Sequence, residues 1–238
     1  MRPCGTATVS PGPPLVAVAA AAAFGALAGV VASGAATGID QWACQHVMPF
    51  AGAPGQPPTL LESVVPLLHA SFHPAGAAVA EIVTLPGQVV VSFLLVLTAA
   101  GALRRRGRRA AAVVWPAAWV VAVAVEVVFR HWLTRPPLHR HGVHLVAFDS
   151  SWPSGHALRS TIAAVALVAA WPKLRPLLAI WLAAAVVLLE LAGFHTPTDI
   201  AGGLLLATVA AVGAGEVERS GLLGSRAALR RPRSRSRG

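Results

Sequence analysis

The sequence predicts an all-α fold, a six-span transmembrane helical bundle with its functional motifs gathered at the external face. Of its 238 residues, 55% are hydrophobic and only 12% are charged, and the mean hydropathy is +0.66. Soluble chains carry about 25% charged residues, so this composition indicates a membrane protein. Apolar windows near the length of about 20 residues that crosses a bilayer occur six times. They are Pro14 to Thr37, Ala77 to Leu103, Ala110 to Phe129, Gly155 to Ala170, Leu177 to Phe194 and Ile200 to Gly215.

The positions of the cations predict how these spans are oriented. Short loops rich in Lys and Arg favour the cytoplasmic side. The loop Arg104 to Arg109, the pair Lys173 and Arg175, and the arginine-rich tail all fall on one side of an alternating six-span topology. We therefore expect a cytoplasmic N-terminus over residues 1–13, a membrane domain over 14–215, and a basic, disordered cytoplasmic tail over 216–238. Cations clustered in this way indicate contacts with membrane lipids and no nucleic-acid partner.

Two segments near the N-terminus allow alternative interpretations. The first window resembles a signal peptide in its small residues, but its length and single basic residue, Arg2, favour a retained anchor. In the loop that follows, apolar residues recur at helical spacing over positions 60–68. This spacing predicts either an amphipathic helix at the membrane interface or a buried loop helix. Cys4 and Cys44 are able to form one disulfide, although nothing in the sequence requires it.

Four cations lie outside the basic clusters, in one stretch on the predicted external side: Arg130, Arg135, Arg140 and Arg159. Histidines accompany them at positions 131, 139, 141 and 144. Arginines and histidines at one membrane surface, close to a helix start, predict a site for an anion such as phosphate. A metal cluster of the last three histidines is the alternative, but no carboxylate or cysteine joins them at ligand spacing, so we expect no metal.

Two aromatic and three acidic residues are also notable near these motifs. Trp132 and Trp152 flank the external stretch, and we expect them to anchor at the membrane interface. Glu190, Glu126 and Glu81 lie within or beside apolar windows, where ionisable groups are costly and usually face protein or water. Of the three, Glu190 is the strongest candidate for the site, because it lies a little over one turn before His195, but we expect all three to lie outside it.

A Pro-Ser-Gly-His element begins the fourth window. Free backbone N–H groups and the positive end of the helix dipole are found at such a helix start. Ser154 offers a hydroxyl, Gly155 allows the backbone to approach a ligand closely, and His156 places an ionisable ring on the first turn. The alternative is that the element is only a helix cap.

A second histidine is paired with an acid four residues later. If a helix begins near Thr196 to Thr198, the side chains of His195 and Asp199 face one another across its first turn. Asp199 then holds His195 in one tautomer and leaves the opposite nitrogen free to attack phosphorus. The alternative is an N-cap by one of the two threonines, with Asp199 placed favourably in the first turn.

These elements follow one another in a recognisable order. Arg130-x4-Arg135-Pro136, then Pro153-Ser-Gly-His156, then His195-x3-Asp199 stand on a chain with six apolar windows. The order resembles the membrane branch of the type 2 phosphatidic acid phosphatase and vanadium haloperoxidase superfamily, over roughly residues 80–215.

The resemblance implies a helical bundle that gathers three motifs at one face, without a metal or other cofactor. It implies that His195 is the nucleophile and forms a phosphohistidine, and that Asp199 orients it. It further implies that His156 protonates the leaving alkoxide, while Ser154 and Gly155 hold phosphate oxygens.

The chain departs from the family pattern at two places. The first family motif runs Lys-x6-Arg-Pro, whereas here Arg130 replaces the lysine and Arg135 is either a two-residue-early equivalent or a replacement. The third motif normally carries Ser-Arg ahead of its histidine, and here leucines occupy those positions. One phosphate-binding arginine is therefore absent. We expect Arg159, three residues after His156 on the same helical face, to supply its charge.

The sequence thus predicts a metal-independent phosphohydrolase in the cell membrane, with both termini cytoplasmic and its site facing outside. The expected substrate is a lipid phosphate or an isoprenoid pyrophosphate. The alternative is a diverged lipid-phosphate-binding or transport protein with little or no catalysis, which the missing arginine favours and the nucleophile with its orienting acid opposes. A haem-carrying cytochrome is disfavoured because the histidines lie at helix ends and not inside the bundle.

Overall fold

The computed structural model describes residues 12–48, 75–140 and 142–220. Within them the regular secondary structure is helical apart from a two-stranded antiparallel hairpin. The α-helices are α1 (Pro13–Ala32), α2 (Thr37–His46), α3 (Ala75–Thr84), α4 (Val89–Arg105), α5 (Arg109–Trp132), α6 (Gly155–Ala170), α7 (Arg175–Leu191) and α8 (Pro197–Arg219). The strands are β1 (His139–Arg140) and β2 (Val143–His144), and short 3₁₀ turns cover Leu85–Gly87, Val146–Phe148 and Pro172–Leu174.

Several predictions fall on residues outside these ranges. These predictions concern the helix near residues 60–68, the N-terminal residues 1–11, the tail beyond residue 220, and the roles of Cys4 and His141. Helix α8 extends to Arg219, so the first residues of the predicted tail continue the last helix.

Each of the six predicted windows contains a helix, and the fourth agrees in both bounds with α6. The second window is divided by the 3₁₀ turn Leu85–Gly87, where α3 and α4 meet at a bend of 48°. Pro86 lacks a backbone donor, which weakens a helix at this point. Gly87 approaches α6 so closely that an added Cβ would lie 2.7 Å from Ser160 Oγ and 2.9 Å from the His156 carbonyl. The bend therefore lies against the first turns of α6.

The length and composition of the helices indicate a membrane protein. Four of them are long and apolar enough to cross a bilayer: α1, α5, the segment Pro172–Leu191 that includes α7, and α8. The bent pair α3 and α4 makes a fifth if it is counted as one span. Helix α6 is apolar but has only 16 residues. The described residues thus support four or five spans, and the count of six stays a prediction.

Helix α8 packs against α1, α5 and α6. Small side chains such as Ala122, Ala166 and Ala207 are fully or almost fully buried between the helices, which allows close backbone approach. Trp152 is 1% exposed, stacks on Phe24 at a centroid distance of 5.0 Å, and belongs to this core. The prediction that Trp152 anchors at the membrane interface is therefore wrong, because its ring fills the bundle interior. Trp132, in contrast, is 79% exposed.

Contacts at the two ends of the bundle fix the direction of the helices. Arg108, between α4 and α5, donates to Glu218 near the end of α8 and to the Ala169 carbonyl near the end of α6, each at 2.7 Å. The last residues of α5 and the first residues of α6 and α8 meet at the opposite end. Successive long helices therefore alternate in direction.

Candidate active site

Two imidazoles meet at the end of the bundle opposite Arg108. His156 lies on the first turn of α6, and His195 lies in the turn that precedes α8. Their ring centroids are 5.8 Å apart, with the ring planes at 56°. His195 is 5% exposed and His156 is half-buried. The fold therefore brings together the two histidines that the sequence singled out.

The two helix starts that carry these rings are capped and joined to each other. The Ser154 hydroxyl accepts from the Ala157 N–H at 3.2 Å and caps α6. Thr196 and Asp199 form a reciprocal capping box at the start of α8, with Pro197 at its first position. The Ser154 N–H donates to the Asp199 carbonyl at 2.8 Å, which holds one start against the other. Both motifs therefore cap helices, and the chemical roles of their residues stay a prediction.

The Asp199 carboxylate is fully buried beside His195. Its Oδ2 atom lies 3.7 Å from His195 Nδ1 and accepts from Ser151 Oγ at 2.6 Å and from the Thr196 N–H at 3.1 Å. Among the described residues, His195 Nδ1 is buried without a hydrogen-bond partner. A closer approach of roughly 0.5 Å would complete that bond, and catalytic hydrogen bonds commonly tighten only when substrate is bound.

Behind Asp199, one arginine joins two buried carboxylates. Arg135, whose side chain is 3% exposed, donates through Nη1 to Asp199 Oδ1 at 3.0 Å and to Thr196 Oγ1 at 3.3 Å. Its Nη2 forms an ion pair with Asp40 of α2, which is fully buried. Asp40 in turn accepts from the Thr198 N–H at 3.1 Å and from the Thr198 hydroxyl at 2.6 Å. We name Asp40, Arg135 and Asp199 the acidic cluster.

Beside His156, one buried carboxylate joins two arginines. Arg159 donates through Nη1 to both oxygens of Glu126 at 2.8 Å and through Nε to the Gly87 carbonyl at 2.8 Å. Glu126 also lies 3.5 Å from Arg130 Nη1. Arg130 donates through Nε to the Ser150 carbonyl at 3.0 Å, and its side chain is 40% exposed. We name Glu126, Arg130 and Arg159 the basic cluster.

The segment that carries both histidines is similar to a known protein family. Residues 131–216 match the family model of the PAP2 superfamily. Over this segment the chain is similar to proteins of the PAP2 superfamily. No curated protein and no solved structure matches the chain. The resemblance predicted from the motifs is confirmed, and because PAP2 proteins are generally phosphatases, it supports an enzyme of phosphatase type.

The eight residues predicted as catalytic or substrate-binding all lie at this end of the bundle. Gly155 packs against the basic cluster, and a Cβ there would collide with the Glu126 carboxylate and the Arg159 guanidinium. Arg135 and Arg159, both predicted to bind phosphate, contact carboxylates in the structure. Arg130 is the most exposed of the three guanidinium groups.

Three residues of the site escaped the sequence analysis or received little weight in it. Glu126 lies four residues before Arg130 inside an apolar helix, and that spacing was a usable signal. Ser151 and Asp40 gave no comparable signal, because Asp199 and Arg135, their partners in the fold, are distant in the sequence. Asp40 and Glu126 also lie outside the residues that match the PAP2 model.

Other sequence candidates lie away from the two clusters. His139 and His144 are exposed on the hairpin with ring centroids 5.5 Å apart, and His144 Nε2 lies 2.9 Å from Asp149 Oδ1. Among the described residues, no group of three or more His, Cys, Asp or Glu is arranged to hold a metal ion. Burial and the nearby Asp40 carboxylate raise the pKa of the Cys44 thiol to about 11, so that thiol stays protonated near neutral pH.

Proposed function

We propose that this PAP2 protein is a metal-independent phosphohydrolase that removes phosphate from a lipid phosphate or an isoprenoid pyrophosphate through a phosphohistidine on His195. One observation carries the proposal. A buried imidazole facing a carboxylate lies 5.8 Å from a second imidazole beside two arginines. A nucleophile with its orienting acid, and a separate proton donor, are the groups that phosphoryl transfer through a covalent intermediate requires.

In the first step, His195 Nε2 attacks phosphorus, because Nδ1 faces Asp199. The bond from phosphorus to the leaving oxygen breaks, and His156 gives its proton to that oxygen. Asp199 compensates the positive charge that develops on the phosphorylated ring. In the second step, water loses a proton to His156 and attacks the phosphohistidine, which releases inorganic phosphate and restores His195.

The basic cluster and the start of α6 are suited to hold the phosphoryl group. Free N–H groups at a helix start and positive charge stabilise the equatorial oxygens as their charge grows. Arg130 combines charge with exposure, so we assign it direct contact with phosphate. We assign Arg159 an electrostatic role from behind His156, and Ser154 and Gly155 the role of holding phosphate oxygens, as the family resemblance implies.

The fold favours a substrate that resides in a membrane. The site lies at one end of apolar helices that alternate in direction, and the basic loop before α5 lies at the other end. Cation bias then places both termini in the cytoplasm and the site on the outer side of the cell membrane. An amphiphilic phosphate ester held in the outer leaflet reaches such a site from the side, with lipids and not nucleic acid as the partners.

A second function, lipid-phosphate binding or transport with little catalysis, is favoured by one observation. Arg135 and Arg159 are engaged by carboxylates, and a leucine stands where the third family motif carries its arginine. The presence of His195 facing Asp199 opposes it, because binding alone needs no nucleophile.

The test is phosphate release by the full chain purified in detergent. Phosphatidic acid, phosphatidylglycerol phosphate and an isoprenyl pyrophosphate are offered separately in excess EDTA, with His195→Ala and the exposed-histidine control His139→Ala alongside. We expect EDTA-resistant release that is lost in His195→Ala and kept in His139→Ala. Vanadate, which resembles the transferring phosphoryl group, should inhibit. Activity that disappears in EDTA and returns with a divalent metal contradicts the proposal, and tight binding without turnover supports the second function.

A further inference from the structure

Asp40 is a buried carboxylate that the family match does not include. It lies in α2, more than 80 residues before the matched segment begins at residue 131, and its exposed fraction is zero. Its two oxygens contact Arg135 Nη2, the Thr198 N–H and the Thr198 hydroxyl. A buried charge is retained at low cost only when it is paired and hydrogen-bonded, and Asp40 meets both conditions.

Two sets of contacts connect Asp40 to His195, the proposed nucleophile. In the first set, Arg135 pairs with Asp40 and also donates to Asp199 at 3.0 Å. Asp199 in turn faces His195 Nδ1 at 3.7 Å. The second set, through Thr198, reaches the first turn of α8, where the capping box holds the Asp199 carboxylate. Asp40 is therefore one residue removed from the acid that orients His195.

The charge balance gives this arrangement a chemical consequence. Because Arg135 is shared between two carboxylates, its positive charge does not fall on Asp199 alone. Asp199 thus keeps negative charge with which to stabilise the ring of His195 as phosphorus is attacked, in an interior where charges interact strongly.

We propose that Asp40 is a positioning residue for phosphoryl transfer, which shares Arg135 with Asp199 and so holds a charged Asp199 carboxylate against His195. This inference rests on the proposed function. Asp40 does not touch the reacting atoms, and its effect is exerted through Arg135 and Thr198.

The test is a single-turnover measurement on the full chain in detergent micelles with ³²P-labelled phosphatidic acid. Asp40→Asn keeps the shape of the side chain and removes its charge. Asp149→Asn is the matched control, since Asp149 also pairs with a basic side chain at this end of the bundle but forms no side-chain hydrogen bond or ion pair with α8 among the described residues. Rapid acid or base quenching gives two separate quantities, the rate constant for labelling His195 and the fraction of protein labelled.

We expect the rate constant to fall about 10- to 100-fold in Asp40→Asn, the usual effect of removing an outer partner of a functional side chain. The labelled fraction should stay close to that of wild type, and Asp149→Asn should match wild type in both quantities. A purely structural role lowers the labelled fraction and leaves the rate constant unchanged, which would overturn the inference.

Two further results distinguish misfolding of Asp40→Asn, and failure of the proposed function, from failure of this inference. If Asp40→Asn does not fold, Thr198→Val removes one of the bonds to Asp40 and keeps the charge; a rate constant several-fold below wild type is then expected, and an unchanged one overturns the inference. A wild-type chain that takes up no label and releases no phosphate from any of the three lipid phosphates overturns the proposed function itself. An active wild type with an unchanged Asp40→Asn overturns only the role of Asp40.

Discussion

The acidic and basic clusters use the same kind of ion pair in opposite proportions. Behind His195, one arginine stands between two carboxylates, whereas beside His156 one carboxylate stands between two arginines. The formal charge is therefore negative on the side of His195, the proposed nucleophile, and positive on the side of His156. Negative charge supports an imidazole that becomes cationic, and positive charge attracts phosphate. The difference shows that arginines at one end of the bundle have opposite electrostatic surroundings, because the number of carboxylates that pair with them differs.

The largest expected effect is on kcat and tests whether Asp199 of the acidic cluster supports His195. Asp199→Asn should lower kcat about 10,000-fold, since an amide does not stabilise the charged ring and favours the wrong tautomer. Phosphate release measures it, with Glu218→Gln as the control because Glu218 pairs with Arg108 at the far end of the bundle. A decrease of less than tenfold would break the comparison by showing that the acidic cluster does not serve His195.

The next effect tests whether the basic side depends on its single carboxylate. Glu126→Gln leaves the guanidinium of Arg159 buried without its counter-charge, and it should destabilise the fold by about 3–5 kcal/mol. Denaturant unfolding in micelles measures this loss. Replacing both partners, as in Glu126→Leu with Arg159→Met, should recover most of it. Equal stability of the single and double variants would contradict the pairing.

A third prediction tests which arginine, Arg130 or Arg159, contacts the phosphate. Arg130→Ala should lower kcat/KM about 100- to 1,000-fold, as removal of one preorganised charge donor does, and Arg130→Lys should recover part of it. Steady-state kinetics measure both variants. The control Arg175→Ala removes an exposed arginine at the far end of the bundle and should have no such effect. Arg159→Ala also leaves the Glu126 carboxylate unpaired, so turnover is compared per folded protein; if it, and not Arg130→Ala, then lowers kcat/KM, Arg159 is the phosphate ligand. Near-wild-type turnover in Arg159→Ala instead removes Arg159 from the site.

The smallest effect concerns the contact between Trp152 and Gly202, which we expect to hold the acidic and basic clusters at a fixed distance. Trp152 packs on Gly202 of α8 and donates to the Thr198 carbonyl at 3.1 Å, and a Cβ on Gly202 would lie 2.8 Å from the indole. Gly202→Ala should therefore cost about 1–3 kcal/mol of stability by overpacking. Gly213→Ala, on the same helix with no heavy atom within 4 Å of the added Cβ, should be neutral or stabilising. Similar melting temperatures for both variants would show that this contact does not set the spacing.

The local sequence predicted the helices well because hydrophobic windows and cap residues are local signals. Helix α6 begins and ends where the apolar window does, and the capping residue of α8 was one of the two threonines considered. The bend before α4 also has a local cause, the Pro86-Gly87 pair. It was missed because the hydropathy on both sides of the pair is continuous.

The site was only partly predictable, because its charges are balanced across distant segments. Both histidines and Asp199 followed from motif spacing, and the fold brought them together. The partner of an arginine is a tertiary contact, so no local pattern pairs Arg135 with Asp40 or Arg159 with Glu126. The sequence also ranked Glu190 above Glu126 as a site candidate, although Glu126 is the carboxylate that lies beside both Arg130 and Arg159.

The position of α2 sets a limit on dissecting or grafting this protein. A fragment cut to residues 131–216 would carry both imidazoles and two of the buried guanidinium groups, but neither Asp40 nor Glu126. Arg159 would then lack its counter-charge, and Asp199 alone would balance Arg135. The smallest piece that can be transplanted into another scaffold with its electrostatics intact must therefore reach back at least to the start of α2.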